Sequence, residues 1–216
     1  MSSAATCPRC LSAVKPPGLW SSSWQCERHG EVLPFHAMPV RSEAALVHLA
    51  ESARVPVWIP RPLPVGWVVT GLAWAGDERT GARATAVALT GPSPTGGPGD
   101  LVVVAEEPGV GLGARLAGLD GADPVCADAS PDFKVTAAHH PTALWAQDTP
   151  DDRAAFAGEA KAVWVETIFW PSAASLLLLE HLVLADVRDG VYADVDLVFG
   201  APSPYLVPSA QGAPIT

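Results

Sequence analysis

The spacing of apolar and polar positions divides this chain into a β-patterned majority and a few helical stretches. From residue 66 onward, short apolar runs alternate with clusters of Gly, Pro and Asp. Residues 67–74, 84–90 and 101–105 read as strands, with 91–99 a Gly- and Pro-rich hairpin loop between the last two. Residues 133–138 and 142–145 are weaker strands. Residues 163–170 form a strong one, apolar on most of both faces and ended by Pro171. At 191–199, Val191, Ala193, Val195, Leu197 and Phe199 alternate with Asp194 and Asp196, the period of a half-buried strand.

Three stretches carry helical signals. Ser42 is a fitting N-cap for a helix over 42–54, whose apolar stripe is Ala45, Leu46, Leu49 and Ala53. Thr149-Pro150-Asp151-Asp152 supplies a cap, a first-position proline and first-turn acids, predicting a helix that stops near Gly158. Residues 175–189 fit a helix by length, although Asp189-Gly190 is equally a hairpin turn between two strands. Many strands on short loops with few helices predict an α+β body built on a mainly antiparallel sheet.

The N-terminus follows a different logic. Cys7-Pro8-Arg9-Cys10 and Cys26-Glu27-Arg28-His29 are two metal knuckles, Cys-x2-Cys and Cys-x2-His. Two ligands from each of two tight turns satisfy a tetrahedral ion, so the spacing predicts a zinc ribbon with a structural Zn²⁺ on Cys7, Cys10, Cys26 and His29. Gly30 follows the last ligand, where the turn calls for positive φ. The expected organisation is a ribbon at 1–41, an α+β body at 42–200 and a loosely ordered tail at 201–216. Pro56, Pro60, Pro62 and Pro64 make 55–64 an extended, proline-rich connector.

Charge narrows the functional classes. Residues 1–41 carry four basic and two acidic residues, a balance of +2; the remaining nine basic and 21 acidic residues give −12. An acidic body argues against nucleic acid as a partner, since phosphate binding needs a basic footprint. The apolar run 176–184 is too short to span a bilayer and is broken by Glu180 and His181. The expectation is a cytoplasmic protein without a membrane partner, in a compartment where thiols bind metal rather than oxidise.

Other candidate chemistry has plainer readings. Cys126 lies in a loop without a basic neighbour and reads as a spectator thiol. Gly109-Val110-Gly111-Leu112-Gly113-Ala114 echoes a phosphate-cradling turn, but Glu106 and Glu107 would oppose phosphate there, so a tight packing turn is the better account. His139 and His140 are adjacent and would point apart on a strand. Glu166 interrupts the strand 163–170, where partial burial would raise its pKa, but it reads more plainly as a residue at a sheet edge or paired with an arginine; Glu180 and His181, which interrupt the leucine run, read the same way. Trp20 and Trp24 share a strand face that needs a packing partner, either Val57, Trp58 or Trp67 of the body or a separate protein.

Several segments together resemble an uncharacterised family of actinobacterial proteins. They are the ribbon, Val55-Pro56-Val57-Trp58-Ile59-Pro60, Leu63-Pro64-Val65-Gly66-Trp67, Gly109-Val110-Gly111-Leu112-Gly113-Ala114-Arg115 and Thr149-Pro150-Asp151-Asp152-Arg153. The resemblance implies a zinc ribbon fused to a single body and no particular activity. The sequence therefore points first to a zinc-ribbon adaptor that binds another protein. An enzyme with a cleft in the α+β body is the alternative, and a nucleic-acid-associated ribbon the least favoured.

Overall fold

A computed structural model of the chain describes residues 5–19, 21–126, 130–190 and 197–206. The strands are β1 (Gln25–Cys26), β2 (Gly30–Glu31), β3 (Phe35–Ala37), β4 (Trp58–Pro60), β5 (Val68–Asp77), β6 (Gly81–Pro92), β7 (Pro98–Glu106), β8 (Phe133–Ala137), β9 (His140–Ala146), β10 (Ala154–Ala160), β11 (Val163–Trp170) and β12 (Val183–Asp186). The α-helices are α1 (Glu43–Ser52) and α2 (Leu112–Ala117). Among the described residues β1 and β2 form a small hairpin, and the rest build one ten-stranded sheet in the order β3-β5-β6-β7-β11-β10-β9-β8-β12-β4. Every pairing in it is antiparallel except β12 with β8. This is the α+β architecture that the short-loop pattern predicts.

The central strands β6, β7 and β11 are covered on both faces, which explains their near-continuous apolar runs. One face carries Val87, Leu89, Leu101, Val103, Val165 and Phe169, packed against Trp58, Leu46 and Leu49. The other carries Ala86, Ala88, Val102, Val104 and Ile168 beneath Leu112 and Leu116 of α2. α1 begins as expected: the Ser42 hydroxyl accepts from the Ala45 amide at 3.2 Å, and Leu46, Leu49 and Ala50 are its buried residues. The proline-rich stretch is extended, and Trp58–Pro60 becomes β4, a buried edge strand paired with β12.

Three expectations need correction. The helix expected over 149–158 is absent. Thr149-Pro150-Asp151-Asp152 makes a turn in which the Arg153 amide donates to Pro150, and β10 follows, paired along its length with β11. Tertiary pairing overrides the helical preference of Ala154, Ala155 and Ala157. Small residues suit this strand because it is crowded: a Cβ on Gly158 would lie 2.0 Å from the Ala143 carbonyl oxygen. The segment 175–189 is likewise not one helix. A 3₁₀ helix over Ser172–Glu180 ends at His181 with φ 54°, then come β12 and a second 3₁₀ turn over Val187–Asp189. The apolar run thus covers the core with one part and joins the sheet with another.

Residues 201–206, expected as part of a loose tail, pack onto the body. Ser203 and Leu206 are buried, and the Tyr205 ring stacks on Trp170 at 4.0 Å. In the strand expected at 191–199, residues 191–196 lie outside the described residues; Phe199 bridges to Val69 in parallel. Among the described residues no helix is long and apolar enough to cross a membrane.

Candidate metal centre

Each knuckle is shaped by its backbone. In the first, the Leu11 amide donates to Cys7 and the Cys7 amide to Ser12, with Leu11 at φ 59°. In the second, β1 and β2 pair Cys26 with Gly30, which sits at φ 67° as the turn after the last ligand requires. Lys15 pairs with Gln25 and ties the two knuckles together. Cys7, Cys26 and Val32 form the buried cluster of this segment, far too little apolar area to hold it folded unaided.

The ligand atoms converge. Cys7 Sγ lies 3.4 Å from His29 Nδ1, Cys26 Sγ 3.7 Å from the same nitrogen, and Cys10 Sγ 3.7 Å from Cys26 Sγ. All four atoms lie within 4.8 Å of one another, so the set could hold a metal ion. A tetrahedral site with bonds of about 2.0–2.3 Å has ligand-to-ligand edges of about 3.5–3.8 Å, which these separations match. Burial pushes the Cys7 thiol up to about 12. A lone thiolate there is costly, and a cation among the four ligands offsets that cost.

Two arginines fasten the first knuckle to the sheet-covering segment 109–117. Arg9 donates through Nε to the Val110 carbonyl at 3.2 Å and through Nη2 to the Gly109 carbonyl. Arg115, from α2, donates through Nε to the Pro8 carbonyl at 2.6 Å, with its guanidinium 5.3 Å from the centre of the Phe35 ring. Burial lowers Arg115 to about 10, opposed by the charges of Cys7, Glu106 and Cys10, so it stays protonated at neutral pH. Its guanidinium is thus shared electrostatically by the knuckle and by Glu106.

The glycine turn acts on a different anion from the one its motif suggests. Glu106 is fully buried, and its carboxylate accepts from the Leu112 amide at 2.7 Å and the Gly113 amide at 3.2 Å. The first amides of α2 therefore bind a side chain of the protein's own sheet. Glu166 is not partly but almost wholly buried, 1% exposed. Burial, then the charge of Glu106, raises it well above the ordinary carboxyl range.

The remaining candidates disperse. His139 and His140 are exposed at the β8–β9 turn, with His139 at φ 68°. Glu180 and His181 are exposed. Cys126 is exposed, and its thiol is raised by partial burial and by Glu166 and Glu159, the reverse of what a reactive thiol needs. Trp24 is half-buried and lines a cleft of about 440 Å³ with His36, Trp74 and Arg79. His36 stacks on Trp74 at 4.3 Å. Trp20 lies outside the described residues. A neighbouring cleft of about 490 Å³ runs from Trp24 past Arg79 to Gly109.

Two groupings escaped the sequence reading. One is Glu106 with Gly113 and Arg115, whose only signal was an acid closing an apolar strand just before a glycine turn. The other is buried Asp186, which accepts from Lys161 at 2.9 Å, Arg188 at 2.8 Å and the Val57 amide at 3.1 Å. Burial works to raise its carboxyl, but these donors hold it below the ordinary range. No sequence spacing relates positions 57, 161 and 186.

Neither curated proteins nor solved structures gave a match to this chain. The model of a family of unknown function, DUF6758, matches residues 1–206, and the chain belongs to that family.

Proposed function

We propose that this protein binds one structural Zn²⁺ through Cys7, Cys10, Cys26 and His29, and serves in the cytoplasm as a protein-interaction module. The observation that carries the metal reading is the convergence of three sulfurs and one imidazole nitrogen within 4.8 Å. Three thiolates and an imidazole suit Zn²⁺ better than hard cations, which take oxygen ligands. Four protein ligands leave no open coordination position, so the ion holds structure instead of activating water. The interaction reading is supported by what the ion would fix: a junction between knuckle and sheet, bordered by a cleft carrying Trp24, Trp74 and Arg79. Tryptophan and arginine are the residue types that dominate binding energy at interfaces. The acidic body opposes polyanions and so disfavours a nucleic-acid partner.

Elemental analysis of protein purified without added metal is expected to give equimolar zinc, lost in Cys26→Ser. A photocrosslinking residue at position 24 is expected to give a discrete protein adduct in the native host. Absence of zinc refutes the metal assignment; zinc with only diffuse or no adducts refutes the interaction role.

A further inference from the structure

The buried glutamates lie on adjacent strands. In the β7–β11 register Glu106 is opposite Trp164 and Glu166 is opposite Val104, so the two acids are diagonal neighbours on one sheet face. α2 covers both. Its Gly113 is required there: a Cβ would fall 2.1 Å from Glu166 Oε1 and 2.3 Å from its Cδ. The absent side chain is the space that the Glu166 carboxyl fills. Glu106 is 0% exposed and has two backbone donors, whereas neither oxygen of Glu166 has a fixed N–H or O–H donor.

Two ionised carboxylates cannot share this dry space, but a carboxylic acid and a carboxylate can, because the acid donates to the anion. The surroundings choose which is which. Burial raises Glu106 as well, but its two amide donors and the nearby positive charge of Arg115 oppose that rise, which makes it the better anion of the two. Glu166 faces Glu106, with Asp123 adding negative charge, so it keeps the proton and donates it. Asp123 itself accepts from the Gly109 amide at 2.7 Å and from Trp164 Nε1 at 3.1 Å. Cys126 and Glu159 are the further titratable groups on this side.

We infer that Glu106 and Glu166 share a single proton, and that this proton latches α2, and through Arg9 and Arg115 the Cys7–Cys10 knuckle, onto the sheet. Losing the proton as pH rises puts two negative charges under Gly113 and loosens the segment 109–117. The titrating pair lies on β7 and β11 beneath α2, on residues other than the four of the Cys/His cluster.

The sign follows from the linkage of protonation to folding. Glu166 is raised well above 4.5 in the folded chain, while the unfolded chain loses this proton near the ordinary value. The folded state binds more protons between those limits, so stability falls as pH rises from 4.5 through the folded pKa and then levels. Glu166→Gln keeps a donor for Glu106 and cannot ionise.

The experiment is amide hydrogen exchange on the full chain between about pH 5 and 9, corrected for intrinsic rates, reading Leu112 and Gly113. In the wild type, protection is expected to fall by up to about tenfold per pH unit as pH rises above the ordinary carboxyl range, the slope for releasing one proton on opening, and to level once Glu166 ionises in the closed state. In Glu166→Gln it is expected to stay flat. Equal falls in both proteins overturn the proposal. Infrared spectroscopy of the wild type supplies a check needing no variant. A protonated-carboxyl band is expected to persist as pH is raised past the range in which surface carboxyls ionise; its loss together with the surface carboxyls overturns the proposal.

Discussion

A missing side chain at position 113 is what allows two carboxyls to sit beneath α2. The Glu166 side chain is confined by its strand, paired to β7 on one edge and β10 on the other, so it has no room to yield. Gly113→Ala is therefore expected to destabilise the protein by about 1–3 kcal/mol or more, the usual range for overpacking a filled core. Chemical denaturation measures it directly. Adding Glu166→Ala to Gly113→Ala should recover part of the loss, because the new methyl group then enters vacated space. Strict additivity of the two losses would show that Gly113 matters for backbone reasons alone. Neither partner could be identified from spacing. Glu106 closes β7 and Glu166 lies far along the chain in β11, and only the strand register makes them neighbours. By contrast the convergence of Cys7, Cys10, Cys26 and His29 was legible, since each pair is fixed by the local geometry of one turn.

Among the elements, α2 occupies the decisive position although it is only Leu112–Ala117. Its first amides hold Glu106, and its Arg115 holds the Pro8 carbonyl between Cys7 and Cys10. Groups that orient ligand-bearing backbone typically change metal affinity by about 10–100-fold when removed. Arg115→Ala is accordingly expected to weaken zinc binding by about tenfold in competition with a chromophoric chelator. An unchanged affinity would show that the knuckle forms its site without support from α2. Elements whose signals are local were legible: the Ser42 cap of α1 and the β11 run ended by Pro171. Where local and tertiary preferences conflicted, the sheet prevailed. The Ala-rich 154–157 stretch became β10 because β11 offered a complete partner, and 172–190 split because its leucines serve two neighbours.

At the scale of the whole molecule, two kinds of stability are joined in one chain. The sheet carries extensive apolar clusters on both faces, whereas the knuckle segment has Cys7, Cys26 and Val32. Most folding energy of the sheet is hydrophobic, whereas on the proposed zinc reading that of the knuckles comes chiefly from the ion. β3 is where they meet, since Phe35 pairs with Ala75 of β5 and also bridges to Thr6 beside the first ligand. Stripping the metal with a chelator at neutral pH should therefore act in gradation. Amides of β1 and β2 should lose hydrogen-exchange protection, β3 should lose part, and the central strands β6, β7 and β11 should keep theirs. Far-ultraviolet circular dichroism should change little, as the ten-stranded sheet holds most of the ordered backbone. Cooperative collapse of the whole sheet would contradict this, because it would mean that the body's own core is insufficient and that the ion stabilises the entire fold. Retained protection of β1 and β2 would contradict it from the other side, by showing that the knuckles are held by Arg9, Arg115 and Phe35 without any metal.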